Sequence, residues 1–100
     1  MSFPPAYPHD PIQQVIPDVF VVRGCIPLNA LMKISRNMAI VRHQDELTLV
    51  DPIRLSPSGE AQLRELGTVK RILRLGPMHG VDDPYYMKAF DAELWAPGVS

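Results

Sequence analysis

The chain contains one cysteine, Cys25, among 100 residues, so no internal disulfide can form. That count fits a reducing compartment and predicts a cytoplasmic protein. There is no surplus of charge either: the formal net charge is −1. A nucleic-acid-binding or anionic-membrane-binding chain needs a basic footprint, and this one has none. No apolar run approaches the roughly 20 residues needed to span a bilayer. The first seventeen residues have no basic stretch followed by an unbroken apolar one, so no secretory leader is expected there. Also missing are a glycine-rich phosphate loop, a Gly-x-Ser-x-Gly elbow and a Cys-x-x-Cys pair.

What is present is a globular composition, 46% hydrophobic, in a length that makes one small domain. Proline is unevenly spread. Pro4, Pro5, Pro8, Pro11 and Pro17 all fall near the N-terminus. Proline fixes φ and donates no backbone hydrogen bond, so residues 1–14 are expected to be an extended arm, a loose tail or a strap across the surface. The folded domain is expected over 15–100.

Val19, Phe20, Val21 and Val22 form a β run ended by Gly24. From 25 to 37 the pattern fits either a short helix or an apolar loop. Strands are predicted at 38–43 and 47–51, with Gln44, Asp45 and Glu46 as a hairpin connection. Pro52 stops the second of them. Ser56 as N-cap and Pro57 as first helical residue open a helix to Leu66, supported by the Glu60/Arg64 pair, and Gly67 ends it. A strand follows at 69–75. Asp83 as N-cap with Pro84 behind it starts a second helix bearing Tyr86, Met87 and Phe90, and 92–96 is a final short strand. Hairpin strands followed by alternating strands and helices predict a mixed sheet with parallel pairs in its second half.

The stretch from Asn37 to Trp95 resembles the first half of metallo-β-lactamase-like proteins. It carries two opening strands, the second ending Leu49-Val50-Asp51, then a helix, a strand and a loop at the start of the next helix. In active families that loop reads His-x-His-x-Asp-His. Here it reads His79-Gly80-Val81-Asp82-Asp83-Pro84, so that His79 matches the first histidine and Asp83 the aspartate. Val81 and Pro84 stand where the other two histidines would be. The resemblance implies an α+β or α/β fold, with a mixed sheet carrying helices on one face, half of an αββα sandwich. It implies zinc as the cofactor, His79 and Asp83 as residual ligands, and Asp51 supporting the metal loop from behind. A hydrolytic zinc site needs about three protein ligands and one open position, and two fall short of that.

The bland readings are also concrete. Asp83 suits a helix N-cap without any metal, and Asp51 before Pro52 suits an Asx-turn. Cys25 fits a buried structural thiol. His9 and His43 have no ligand spacing. Arg64, Lys70, Arg71 and Arg74 fit a solvated face. Two functions follow. One is a metal-dependent hydrolase-like domain, inactive or incomplete as this chain. The other is a non-catalytic scaffold that self-associates. Half a sandwich should leave a sheet face bare, to be covered by a second copy, by a missing C-terminal half, or by the arm. The surface expected to do this bears Ile40, Leu49, Leu73 and Leu94 with Tyr86, Phe90 and Trp95.

Overall fold

The computed structural model describes residues 6–27, 31–75 and 82–95. Six strands form one sheet in sequence order: β1 (Gln13–Ile16), β2 (Val19–Pro27), β3 (Lys33–His43), β4 (Glu46–Val50), β5 (Thr68–Leu73) and β6 (Glu93–Trp95). The first four pair antiparallel, and β5 and β6 then add in parallel. Parallel neighbours need a crossover, and the helices supply them. α1 (Pro57–Leu66) links β4 to β5, and α2 (Asp83–Phe90) lies between β5 and β6.

Both helices cover the same face. Leu63 from α1 and Tyr86 from α2 join Phe20, Val22, Met38, Ile40, Leu47, Leu49, Val69 and Ile72 in a single buried core. Along β2, β3 and β4 these residues are two apart, the pleat's own period. In β5 they are three apart, because the register steps at Lys70: Leu47 pairs with Val69 and Thr48 with Arg71. The extra residue lets Val69 and Ile72 face one side. Each fully buried aliphatic side chain here contributes roughly 1.5–3 kcal/mol.

Where the sequence suggested a short helix or an apolar loop over 25–37, the described residues are mostly strand: β2 runs to Pro27 and β3 starts at Lys33. Cys25 pairs with Ser35 and Gly24 with Arg36, so β2 and β3 continue as a long hairpin. Its stability comes from ladder hydrogen bonds that a broken apolar pattern does not advertise. α1 has its expected cap, with the Ser56 hydroxyl accepting from the Gly59 amide at 3.2 Å. At the other end of α1, Gly67 is extended rather than left-handed. What fixes glycine there is close approach, since a Cβ would sit 2.6 Å from the Asp45 carbonyl oxygen.

The described part of the N-terminal arm, from residue 6 onward, lies as a strap. β1 straddles residues 14 and 15 and pairs with β2 at the sheet edge. Ahead of it, the His9 Nδ1–H donates to the Asp10 carbonyl at 2.7 Å, and Nε2 accepts from the Ser56 amide at 2.8 Å. The ring lies over Gly59, where a Cβ would meet it at 2.9 Å. Ile12 packs against the core. The described part of the arm therefore binds the edge and the helical side. It does not cover the opposite face.

Among the described residues, that opposite face carries no helix. By register it presents Val21, Ala39, Val41, Val50, Leu73 and Trp95 in a row across five strands. The surface expected from sequence mixed the two faces. Ile40, Leu49 and Tyr86 are fully buried under the helices. Leu94 pairs with Ile72 on that same side, and only Leu73 and Trp95 belong to the open face.

Candidate functional site

The polar groups with the most constrained surroundings gather where β4 and β5 end and α2 begins. β4 finishes at Val50, and Asp51 turns the chain with φ at 51°, in the left-handed region that aspartate tolerates better than most residues. Its amide donates to the Leu73 carbonyl at 2.8 Å, and its Oδ1 accepts from the Leu75 amide at 2.7 Å. Asp51 thus holds the segment leaving β5, by the loop-ordering contact its position before Pro52 suggests.

On the far side of the 76–81 segment, Asp82 occupies the N-cap position of α2, with Asp83 as the first helical residue. The expected N-cap was Asp83. Asp82 makes no side-chain cap bond. Its Oδ2 instead accepts from the Arg54 amide at 2.7 Å and faces the Arg36 guanidinium at 3.5 Å. Arg36 also donates to the Pro52 carbonyl at 3.2 Å. This arginine is 6% exposed, and it belongs to the inward-facing series that continues with Met38 and Ile40. The partner it needs is 46 residues away in sequence. One signal could have found it: period-two alternation back from Ile40 turns Arg36 inward, and a buried cation requires a partner.

Asp83 is 3% exposed, and neither of its oxygens has a hydrogen-bond partner. The nearest cation is Arg74, at 3.7 Å. Burial pushes the Asp83 carboxyl up from its ordinary range, Arg74 opposes this, and Asp51 and Asp82 add to the upward push.

His79 lies outside the described residues. Among those that are described, no three His, Cys, Asp or Glu side chains group as a metal set. Asp51 and Asp82 already accept backbone amides, and guanidinium groups flank Asp82 and Asp83. The described donors by themselves do not make up the three-ligand set of a hydrolytic zinc site.

The remaining sequence candidates disperse. His43 is exposed at the end of β3. Cys25 is partly exposed and not buried as expected, and it lines a hollow of about 300 Å³ with Pro8, His9, Asp10 and Arg23. The basic residues divide among separate partners: Arg64 with Glu60, Arg71 with Glu46, and Arg74 with Asp83. Tyr86 is a core residue, its hydroxyl donating to the Ile53 carbonyl at 2.5 Å and its ring stacked on Phe90. Among the described residues, no helix is long and apolar enough to cross a membrane.

No protein-family model and no curated protein matches this chain. Solved structures do. The DIM-1 metallo-β-lactamase exposed to ceftazidime superposes with a TM-score of 0.66 at 12% identity, over 87% of this chain and 42% of that one. The mono-zinc form of the FIM-1 metallo-β-lactamase from Pseudomonas aeruginosa gives 0.65 at 15% identity, over 95% and 44%. A mono-zinc NDM/FIM-1-like metallo-β-lactamase from Erythrobacter litoralis gives 0.64 at 16% identity, over 85% and 42%. The fold is therefore metallo-β-lactamase-like: a mixed six-stranded sheet with two helices on one face. The chain spans less than half the length of the structures it matches.

Proposed function

We propose that this chain is a non-catalytic unit of metallo-β-lactamase-like architecture that assembles through its open sheet face with a second copy of itself. The observation that carries this reading is the uncovered apolar row. Val41 is 40% exposed and Trp95 57% exposed, with Val21, Ala39, Val50 and Leu73 between and beside them. Next to Trp95 a hollow of about 360 Å³ is lined by Leu73, Thr48 and the Arg71 side chain. Contiguous apolar surface of this kind marks an interaction site.

Among the described residues of this face the charges lie around the apolar row and not within it, with Arg71 and Glu46 paired at 2.7 Å beside it. A two-fold axis lets the same patch serve both copies. A second reading, a piece of a metal-dependent hydrolase, draws support from the neighbours, which are metallo-β-lactamases of more than twice the matched length. In that case a further polypeptide segment covers the face.

Light scattering coupled to size exclusion separates these. The expected mass is twice the chain's 11.2 kDa, returning to one chain mass in Val41→Glu but not in Met87→Glu on the outer side of α2. Trp95 is the only tryptophan, so its emission should shift to the red as the dimer is diluted. A monomer throughout the micromolar range, with Trp95 emission independent of concentration, overturns the self-association. β-lactam or other ester and amide hydrolysis by the purified chain overturns its non-catalytic character.

A further inference from the structure

We propose that Arg36 and Arg74 are the resident cations of the aspartate cluster at the end of the sheet, so that the cluster is a permanent clamp seating α2 and not a site for a divalent metal. The clamp joins four segments. Arg36 comes from β3, Pro52 and Arg54 from the stretch after β4, Arg74 from the end of β5, and Asp82 and Asp83 from the start of α2.

A guanidinium stays charged at any pH the fold survives, and its planar fork suits two acceptors at once. Arg36 uses it in that way, with NH1 toward the Asp82 carboxylate and NH2 on the Pro52 carbonyl. Because Arg36 is buried, it cannot swing into water to make room for another cation. A metal ion drawing on Asp82 Oδ2 would have to displace Arg36 and also take the oxygen that holds the Arg54 amide. One drawing on Asp83 would approach Arg74. The first route leaves a buried guanidinium and an amide unpaired, which is the costly outcome in a low-dielectric interior, while the second meets the repulsion of a part-exposed guanidinium. The positive charge that a metal would set against the acidic start of α2 is thus already supplied by Arg36 and Arg74. This inference does not depend on what covers the open sheet face, so it can stand or fall separately from the self-association.

Two measurements on the full chain test it. The first is calorimetric titration with zinc chloride, with elemental analysis of the purified protein. The expected result is no saturable zinc binding in the micromolar range that depends on the aspartates. Uptake of one zinc per chain that is lost in both Asp82→Asn and Asp83→Asn overturns the proposal. Uptake unaffected by both substitutions lies elsewhere and leaves the clamp in place. The second is a thermal-stability cycle. Arg36→Met strands a buried carboxylate and should lower the melting temperature sharply, or prevent folding. Asp82→Asn keeps an acceptor for the Arg54 amide while removing the charge. The double variant Arg36→Met/Asp82→Asn should therefore fold and recover most of the loss seen in Arg36→Met, since a buried pair is costly chiefly when broken on one side. Additive losses in the double variant, with no recovery, overturn the ion-pair clamp.

Discussion

Replacing His9 by alanine should loosen the strap without touching the core strands. Two contacts are at stake. Nε2 accepts the Ser56 amide at 2.8 Å, and the ring fills the space above Gly59. A net hydrogen bond contributes about 1 kcal/mol, and leaving the Ser56 amide to find water adds part of the 1–3 kcal/mol that an unsatisfied donor costs. Some lost ring packing brings the total to about 2 kcal/mol. For a domain of this size each kcal/mol moves the melting temperature by roughly 4–8 °C, so a drop of about 8–16 °C is expected. His43→Ala is the control, because His43 is exposed and such a change is ordinarily within about 0.5 kcal/mol. Hydrogen exchange should quicken at β1 and not at β4. Nitrogen-15 shifts of the wild-type ring should report the proton on Nδ1, since the Asp10 carbonyl can only accept. If His9→Ala melts with His43→Ala, and β1 exchange is unchanged, the arm is not latched and the argument fails.

Asp83→Asn should raise stability at neutral pH, because desolvation of its carboxylate outweighs the long Arg74 contact, while the Arg36–Asp82 half of the clamp stays intact. Burial raises the folded-state carboxyl above its unfolded value, so the native state holds the proton more tightly. The associated stability is present below the unfolded value, about pH 4, and is lost as pH rises through the raised folded one. Urea titrations from acid to neutral should show the variant's advantage at pH 7 vanishing at low pH; a variant weaker than wild type at pH 7 would mean that the Arg74 contact outweighs desolvation. Tyr86→Phe should cost about 1–3 kcal/mol in urea unfolding, because it leaves the buried Ile53 carbonyl without its donor while keeping the ring. No loss would mean that water reaches that carbonyl.

The parts of the fold that were legible in the sequence are those whose signals are local. Capping chemistry at Ser56 and Pro57 placed α1 from its first residue, and the alternation in 38–43 and 47–51 placed two strands. The failures have physical causes. Gly24, Cys25 and Pro27 interrupt β propensity, so the extension of the hairpin, which depends on pairing across to Ser35 and Arg36, left no local trace. The bulge at Lys70 broke the two-residue period of β5. Both faces of β3 contain aliphatic residues, so Ile40 and Val41 could not be assigned to inside and outside without knowing where the helices land. At the site, Asp51 and Asp83 were singled out by a family pattern, and both lie in the same polar cluster. Arg36 was missed because a lone arginine in sequence reads as surface; the alternation that turns it inward is persuasive only once Asp82, distant in sequence, is known to be its partner.

The 46-residue separation of Arg36 from Asp82 has a temporal side. During synthesis the β2–β3 hairpin can form as soon as His43 has emerged, with Arg36 already turned toward the side that will become the interior. Its counter-charge has not yet been translated. Until α2 arrives, the nascent domain carries a cation where the finished one has a neutral pair, and hydrophobic collapse around that position is held back. A chain cut short before Asp82 would lack the counter-charge that lets Arg36 settle inside. The start of α2 thus completes an interior that β3 has already opened.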